Sequence, residues 1–411
     1  MHRFNWIAVG VIVLALCLPS SASVGESKLD HPFVVLAWDA SGDFGPETSG
    51  TTTAGWQEAV DCCVANGHDL YVKGGWGGRK AIYHVSDTIR IPATQDFRID
   101  GGVYVVNWIG PPDDPAKDLM RIDSAMNAEY HFGIFVYGGA GAALRIQPEN
   151  PVPIDGFPVV VETEIKSQGI ADPSPFTPGE RKPGTGLVLD GTKASIVNSR
   201  FDFVGGILNF KTCVEVKGGF AQNRFSCLHL HTNADNSTLF VLGPKASQNI
   251  VDLAIGVDMG AANVRGLAIH GRNNAFTIMT RGGFPGGNDV VLESTAAGNR
   301  IDLLHGGGSA PLAAVTDNAD AASNQVTWVG GNLPIRTQPV PLGEHVYTQR
   351  LYPATVRVVG GEVSNVTLVR GSGAADCTSS CRDGVLMSVD DQLRVHSTAA
   401  PELQIIPFKV R

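Results

Sequence analysis

The chain has 411 residues, with 31 Lys and Arg against 40 Asp and Glu and a formal net charge of −9. No run rich in Lys and Arg occurs, which argues against nucleic acid as a partner, although a locally basic groove on such a protein can bind an anionic polysaccharide. No stretch after the N-terminal region is long and apolar enough to predict a membrane span, so we also expect no membrane partner.

The first 23 residues have the pattern of a secretory signal peptide. A weakly basic start at His2 and Arg3 precedes the apolar run Ile7–Leu18, and small residues suited to cleavage follow at 20–23. We therefore predict a secreted, extracellular protein, or a periplasmic one if the source is bacterial. Residues 24–411 are predicted to form a single domain.

The segment 33–110 is predicted to hold an N-terminal cap and the first strands. An apolar run at Phe33–Trp38 is followed by a loop and then by a helix over Ala54–Asn66, which ends before Gly67. The apolar stripe of this helix is predicted to be Trp56, Ala59, Val60 and Cys63. Residues 148–186 are rich in Pro and Gly, and they read as a long insertion whose only strand is Val159–Thr163.

Residues 187–330 contain two ladders that repeat about every 25 residues. The first is a set of short apolar strands, each followed by Gly or a polar residue: Leu187–Leu189, Val214–Val216, Phe240–Leu242, Leu267–Ile269, Val290–Leu292 and Ala313–Val315. The second starts at asparagines separated by 26, 25, 25 and 25 residues: Asn223, Asn249, Asn274, Asn299 and Asn324.

Apolar residues stand two and four positions after each of these asparagines, and such alternation is typical of strands. A strand pattern repeated at a fixed period predicts a parallel β-helix, in which stacked coils bury a common core. The asparagine side chains are predicted to stack along the axis, and Ile207–Phe210 is a candidate third strand. After residue 330 the period breaks, and 331–411 are predicted to form C-terminal coils and a cap. Cys377 and Cys381 have the spacing of a local disulfide bond.

Several N-terminal motifs carry a family resemblance. Asp39–Asp43, Thr51–Thr53, Gln57–Val60, Asp69–Val72 and Ile89–Pro92 resemble the start of pectate-lyase-like right-handed parallel β-helix proteins. The resemblance implies an all-β fold, a single right-handed parallel β-helix with an N-terminal capping helix. It also implies one of several roles, because this superfamily includes polysaccharide lyases, glycoside hydrolases, epimerases, phage tailspikes and non-catalytic surface proteins.

The outward positions of the second ladder offer residues for glycoside hydrolysis. One predicted column is Arg200, Arg224, Ile250, Ala275, Arg300 and Gln325, and its neighbour is Asp202, Ser226, Asp252, Thr277, Asp302 and Thr327. Asp252 and Asp302 are two coils apart, about 9.6 Å between backbones, and this spacing suits the two carboxyl groups of an inverting glycosidase. A further predicted outer column is His229, Ile255, Thr280 and His305.

The first ladder offers residues for elimination from an acidic sugar, which needs a base and a cation that neutralises the carboxylate. Its outward column is predicted to be Asp190, Lys217, Gly243, His270, Glu293 and Thr316, with Arg272 beside it. No cofactor is expected for a hydrolase, whereas Ca²⁺ is possible for a lyase. His229 and His231, with Asp235, are an alternative metal site.

The predicted function is cleavage of a polysaccharide on the outer face, by a glycosidase or a lyase. The alternative is a non-catalytic glycan-binding or structural protein, which the scarcity of aromatic residues at the predicted outer positions keeps open. The site is predicted in a groove between the two sets of outer columns. Its candidate catalytic residues are Asp252, Asp302 and His270, and its candidate substrate-binding residues are Arg272, Arg300, His305, Glu293 and Lys217.

Overall fold

The computed structural model describes residues 33–75, 80–153, 156–173, 184–257, 261–280, 289–305, 314–329, 333 and 335–408. The predicted signal peptide lies outside these residues. Within them, no helix is long and apolar enough to cross a membrane.

The fold is a right-handed parallel β-helix built from two long sheets, as predicted. In sheet A every pairing is parallel, so each coil adds one row above the last. The strands of sheet A are, in spatial order, β1 (Phe33–Leu36), β2 (Asp69–Val72), β6 (Arg98–Gly101), β10 (Glu129–Val136), β13 (Glu164–Ala171), β15 (Arg200–Phe203), β18 (Arg224–Thr232), β21 (Ile250–Val257), β23 (Ala275–Thr280), β25 (Arg300–His305) and β27 (Gln325–Val329), with β3 (Ala81–Val85), β7 (Tyr104–Trp108) and β16 (Ile207–Leu208) paired alongside.

Sheet B is also parallel and contains the strands of the first ladder. Its strands are β4 (Ile89–Ile91), β8 (Met120–Ile122), β11 (Ala142–Ile146), β14 (Thr185–Val197), β17 (Thr212–Ala221), β19 (Thr238–Leu242), β22 (Arg265–Ile269), β24 (Val290–Leu292) and β26 (Val315–Asp317), with the short β5 (Thr94–Gln95), β9 (Ala125–Met126), β12 (Val160–Val161) and β20 (Ala246–Ser247) beside them.

The helix α1 (Trp56–Asn66) lies at the N-terminal end of the stack, as predicted. Gly67 follows it with φ 66° and donates its N–H to the Cys63 carbonyl, so a residue without a side chain ends the helix. The predicted stripe is buried: Trp56, Ala59, Val60 and Cys63. The helix contacts β1, β2 and β4 and so covers the first coil.

The asparagine ladder is confirmed. All five side chains are buried, and the Nδ2 of each of the first four donates to the Oδ1 of the next asparagine along the axis, at 2.8–3.3 Å. The same Oδ1 atoms also accept backbone N–H groups of the preceding coil. Ser199 and Thr163 extend the row to earlier coils, because the N–H of Ser199 donates to Asn223 and that of Thr163 to Ser199.

A row of residues with positive φ marks the corner between sheet B and sheet A. Each is followed by a residue of the inward row that contains the asparagine ladder, so the corner itself projects outward. Residues with small or flexible polar side chains, or Gly, tolerate this left-handed conformation best. We call this row the corner column: Asp96, Asn127, Glu162, Asn198, Gln222, Gln248, Asn273 and Gly298.

Two sequence expectations about the coils are wrong. The segment 148–186 is not a simple insertion, since β12 and β13 pair with their neighbours like any other coil. Its strand β13 carries Ser167 at a buried position, where Oγ donates to the Gly133 carbonyl at 3.0 Å, and this polar residue hid the strand pattern. In the last copy of the first ladder, Val315 pairs with Val290, two residues away from the predicted alignment. Asp289 fixes this register by accepting the Ala314 N–H at 2.8 Å.

Residues 336–408 form two antiparallel sheets, and not further coils. Leu351 bridges to Gln325 of the last strand of sheet A, and Tyr352 packs edge-on against Trp328, with ring centres 5.6 Å apart. The C-terminal sheets therefore cover the open end of the stack. Their strands are β28 (Arg336–Pro339), β35 (Glu402–Pro407), β30 (Ala354–Val359) and β33 (Val385–Met387) in one sheet, and β29 (Gly343–Thr348), β34 (Gln392–Ala399), β31 (Glu362–Arg370) and β32 (Gly373–Asp376) in the other.

The predicted disulfide bond between Cys377 and Cys381 is not formed, and both are free thiols. The two residues lie in a tight turn, in which the Ser380 N–H donates to the Cys377 carbonyl. Each Sγ contacts a carbonyl of its own loop: Cys377 that of Ala375, at 3.6 Å, and Cys381 that of Thr378, at 3.2 Å. The turn thus gives each thiol a separate partner.

Candidate functional site

The outer face of sheet A contains the two predicted columns of the second ladder. Pairing places Arg200, Arg224, Ile250, Ala275, Arg300 and Gln325 in one row and Asp202, Ser226, Asp252, Thr277, Asp302 and Thr327 in the next. The residues between them are buried, as the alternation requires: Phe201, Phe225, Val251, Phe276, Ile301 and Val326.

The predicted catalytic pair Asp252 and Asp302 is separated by Thr277 in this row. Asp252 forms an ion pair with Arg224 and Asp302 with Arg300, each at 3.4 Å. One oxygen of Asp302, Oδ1, is buried and has no hydrogen-bond partner among the described residues. Each carboxylate therefore supports an arginine of the neighbouring column.

The candidate residues of sheet B have separate partners on the other side of the corner column. Lys217 pairs with Glu215 at 2.9 Å and Glu293 with Arg265 at 3.5 Å. His270 precedes the corner, where its carbonyl accepts from the Thr295 hydroxyl at 2.8 Å.

Arg272 donates to the Thr295 carbonyl at 3.2 Å. Asn273 of the corner column separates the candidate residues of sheet B from those of sheet A along the chain. A groove that combines the two sets stays a prediction.

The column predicted from His229 to His305 is wrong. One extra residue interrupts the strand pairing between Cys227 and Leu230, so Leu230, and not His229, pairs with Ile255. The bulge affects β18 alone. The other predicted members stand six residues after their asparagines, an even interval like that of the buried residues two and four after them, so alternation itself places the row inside. The members of the row are buried: Leu230, Ile255 and Thr280. The backbone of His305 pairs with Thr280, and its side chain lies outside the described part of the chain.

The alternative metal site is not assembled. The rings of His229 and His231 pack edge-on, with centres 5.2 Å apart, while Asp235 accepts the Ala262 N–H at 2.7 Å. Over the described ranges, no three His, Cys, Asp or Glu side chains are placed to hold a metal ion. A Ca²⁺ cofactor remains a prediction tied to lyase chemistry.

A charged network that the sequence did not indicate covers the earlier coils of sheet A. His131 lies between Asp100, 3.5 Å from Nδ1, and Glu164, 3.8 Å from Nε2. Lys166 and Arg200 also pair with Glu164, at 2.8 and 3.6 Å. These residues lie on the same outer face as Arg200, which pairs in register with Glu164. The unequal lengths of the early coils made their alignment unpredictable from the sequence.

This network lowers the pKa of its carboxyl groups. The hydrogen bond from His131 is the main cause that lowers the pKa of Asp100. Burial raises the pKa of Glu164, but the hydrogen bond and charge of Lys166 and the charges of His131 and Arg200 outweigh it, so this pKa is lowered too. A general acid of a glycosidase needs a raised pKa, so these shifts favour permanently ionised carboxylates.

Three arginines on the outer face of sheet A have well-exposed side chains. Their side chains are 55% (Arg200), 59% (Arg224) and 70% (Arg300) exposed, whereas the paired carboxylates of Asp202, Asp252 and Asp302 are 11%, 35% and 29% exposed. We call these three residues the arginine column. At these three positions the guanidinium groups are therefore more exposed than the carboxylates that pair with them.

A scan against models of protein families finds no match, and a search of curated proteins finds no significant match. Among solved structures, the chain is similar to the Dettilon tailspike protein (gp208), with 11% identity over 91% of this chain and 94% of that chain and a TM-score of 0.28. It is also similar to two mutants of the tailspike protein of E. coli bacteriophage HK620 in complex with pentasaccharide.

These two matches have 7% and 9% identity, cover 89% and 92% of this chain and 91% and 94% of those chains, and have TM-scores of 0.28 and 0.30. Similarity this low carries no argument about function, and the fold rests on the strand register given above. The pectate-lyase-like superfamily stays a prediction from the N-terminal motifs.

Proposed function

We propose that the protein is an extracellular glycan-binding β-helix protein that holds an acidic polysaccharide on the outer face of sheet A. The observation that carries the proposal is the arginine column, in which each of three exposed guanidinium groups is paired with an aspartate of the neighbouring column. The extracellular location rests on the predicted signal peptide.

The chemistry of arginine fits this ligand. A planar guanidinium donates paired hydrogen bonds to a carboxylate or a sulfate, which are the charged groups of acidic polysaccharides. A supporting aspartate limits the orientations of the guanidinium, which reduces the entropy lost when a ligand binds. Arg200 and Arg224 lie on adjacent strands, about 4.8 Å apart along the axis, so they can contact one acidic group or two consecutive ones.

Binding is better supported than cleavage. Hydrolysis needs a carboxylic acid that is protonated at working pH and a second carboxylate free to act as base or nucleophile. Asp252 and Asp302 are instead each paired with an arginine, and the shifted carboxyl groups of this face have lowered pKa values. The candidate base His270 lies on the other side of the corner column.

A binding assay with three acidic polymers tests the proposal. Polygalacturonate, alginate and heparin are titrated at low and high salt against the protein and against the triple variant Arg200→Gln, Arg224→Gln, Arg300→Gln. At least one polymer should bind, and the triple variant should bind it at least ten-fold more weakly. High salt should also weaken binding, because exposed charges are screened.

The matched control is the double variant Lys217→Gln, Arg265→Gln, which removes cations from the other side of the corner. It should bind within about two-fold of the parent protein, since its changed side chains lie outside the proposed face. Absence of binding to every acidic polymer, or equal binding by the triple variant, would refute the proposed function.

The same mixtures, assayed for new reducing ends and for ultraviolet absorbance of unsaturated uronides, test cleavage. The proposal expects no product. If product forms and Asp252→Asn or Asp302→Asn slows its formation by about 10²–10⁴-fold, as for loss of a general acid or base, the protein is an enzyme and the binding proposal is wrong.

A further inference from the structure

Two aromatic side chains lie exposed on the same face, at its N-terminal end. Phe33 on β1 is 48% exposed and Tyr71 on β2 is 42% exposed, whereas their strand neighbours Val34, Leu36 and Leu70 are buried. The two rings pack edge-on, with centres 6.4 Å apart. They therefore form one continuous apolar surface that the core does not use.

Polar groups suited to sugar hydroxyls border this surface. Tyr71 pairs in register with Asp100 on the next strand, whose side chain is 58% exposed and whose lowered pKa keeps it ionised as an acceptor. The Arg98 side chain is 37% exposed and lies in the adjacent column. By contrast, the carboxylate of Asp69 is buried and accepts the Arg98 N–H at 3.0 Å, so it is already engaged by the backbone.

This combination fits an uncharged sugar ring. The C–H groups on one face of a pyranose pack against aromatic rings, while its hydroxyl groups need donors and acceptors around the edge. An acidic ring fits less well, because the nearest exposed charge in the column of Tyr71 is the carboxylate of Asp100.

We propose that Phe33 and Tyr71 form a stacking subsite for an uncharged pyranose ring of the bound polysaccharide. This inference rests on the proposed glycan-binding function and adds to it a second, charge-independent contact. Tyr71 and Arg200 lie on strands four rows apart, about 19 Å along the axis. One polysaccharide chain lying along the axis can therefore reach both the aromatic pair and the arginine column. The ligand expected is a polysaccharide that contains both neutral and acidic sugars.

Neutral oligosaccharides test the subsite separately from the arginine column. Cellohexaose and xylohexaose are titrated by calorimetry against the full chain at high salt, where arginine contacts are weakened. At least one of them should bind, and Phe33→Ala and Tyr71→Ala should each weaken binding about ten-fold, as expected for loss of an aromatic contact. Tyr71→Phe keeps the ring and should bind nearly as well as the parent.

Two controls separate the subsite from other effects. Phe157→Ala removes an equally exposed ring, 50% exposed, from outside this face and should leave binding unchanged. The triple arginine variant should bind the neutral oligosaccharides like the parent protein.

Two outcomes would overturn the inference: neither oligosaccharide binds, or the alanine variants bind as the parent does. If the protein binds a neutral oligosaccharide but no acidic polymer, the proposed acidic ligand is wrong and the stacking subsite stands.

Discussion

The asparagine ladder shows how single polar residues become part of a core. In Asn249, for example, Nδ2 donates to Asn274 Oδ1 at 2.8 Å and to the Phe220 carbonyl at 2.9 Å, while Oδ1 accepts from Asn223. Buried amides cost free energy unless they are paired, and here both atoms of the amide are. The ladder therefore joins neighbouring coils without leaving an unpaired group.

Replacing one ladder residue should be strongly destabilising. Asn274→Ala removes the acceptor of the Asn249 N–H and Nδ2 groups. Each buried donor left unpaired costs about 1–3 kcal/mol, so urea unfolding should show a loss of at least this size. Thr277→Ala, at an exposed position of the same coil, is the control and should change stability by less than about 0.5 kcal/mol. Equal effects of the two changes would mean that the ladder hydrogen bonds add little.

The sequence predicted the ladder only in the coils whose residue in this row is asparagine. The five asparagines revealed themselves by even spacing, whereas Ser199 and Thr163 continue the same row with hydroxyl groups. Ser199 precedes Asn223 by 24 residues but follows Thr163 by 36. Neither the residue types nor the intervals therefore predicted that the row continues into the earlier coils. The charged network around His131 was missed for the same reason.

At the scale of the strand, alternation decides which side chains reach the surface. It predicted the outer columns of β15 to β27 correctly, because these strands pair without interruption over that stretch. It failed after Cys227, where a single extra residue shifts the pairing. Only the register of His229 depended on this bulge, which has no reliable sequence pattern. The other members of the predicted outer row stand six residues after their asparagines, and this even interval already places Ile255, Thr280 and His305 on the inner side. The corner column between the two ladders was likewise not predicted.

Adjacent residues of β23 should respond oppositely to the same substitution. Phe276 is 2% exposed and Thr277 is exposed. Phe276→Asp would place an unpaired charge in the core and should prevent folding. Thr277→Asp should leave the protein folded, with a modest loss from its proximity to Asp252 and Asp302. Soluble yield and circular dichroism measure both, and a folded Phe276→Asp protein would show that the register is wrong.

In the whole molecule, the C-terminal sheets cover the last coil, so that the stack does not end in an exposed strand edge. Strand β27 would otherwise present unpaired backbone groups, which promote association with other chains. A cavity of about 110 Å³ lies at this junction. It is lined by Val326, Thr327, Trp328, Leu333, Tyr352, Pro353, Pro407 and Phe408.

The C-terminal sheets should lose stability in acid. Burial raises the pKa of Asp391, but hydrogen bonds from Arg370 and from the Ser388 N–H outweigh it, so the pKa is lowered. A lowered pKa in the folded state means that the stabilisation is complete above the unfolded value of about 3.9 and is lost as pH falls through the folded value. The protection factors of amides in β30 and β34, which compare the exchange rate with that of an unfolded chain at the same pH, should therefore fall as the pH drops below about 4.

The variant Asp391→Asn tests the source of this dependence. Its protection factors should be lower than those of the parent at neutral pH and should depend less on pH in the acid range. Asp383→Asn, an exposed carboxyl of the same sheets, should behave as the parent does. An unchanged acid response in Asp391→Asn would assign the effect to other groups.

The direction of the asparagine row has a consequence for how such a chain can lengthen. In the four amide-to-amide bonds, each asparagine from Asn223 to Asn299 donates to the next one toward the C-terminus, so these bonds all have the same polarity. A duplicated coil inserted within this run would find a matching acceptor on its C-terminal side and a matching donor on its N-terminal side. Gene duplication could thus add whole coils there without new side-chain chemistry, extending the outer face of sheet A by one row each time.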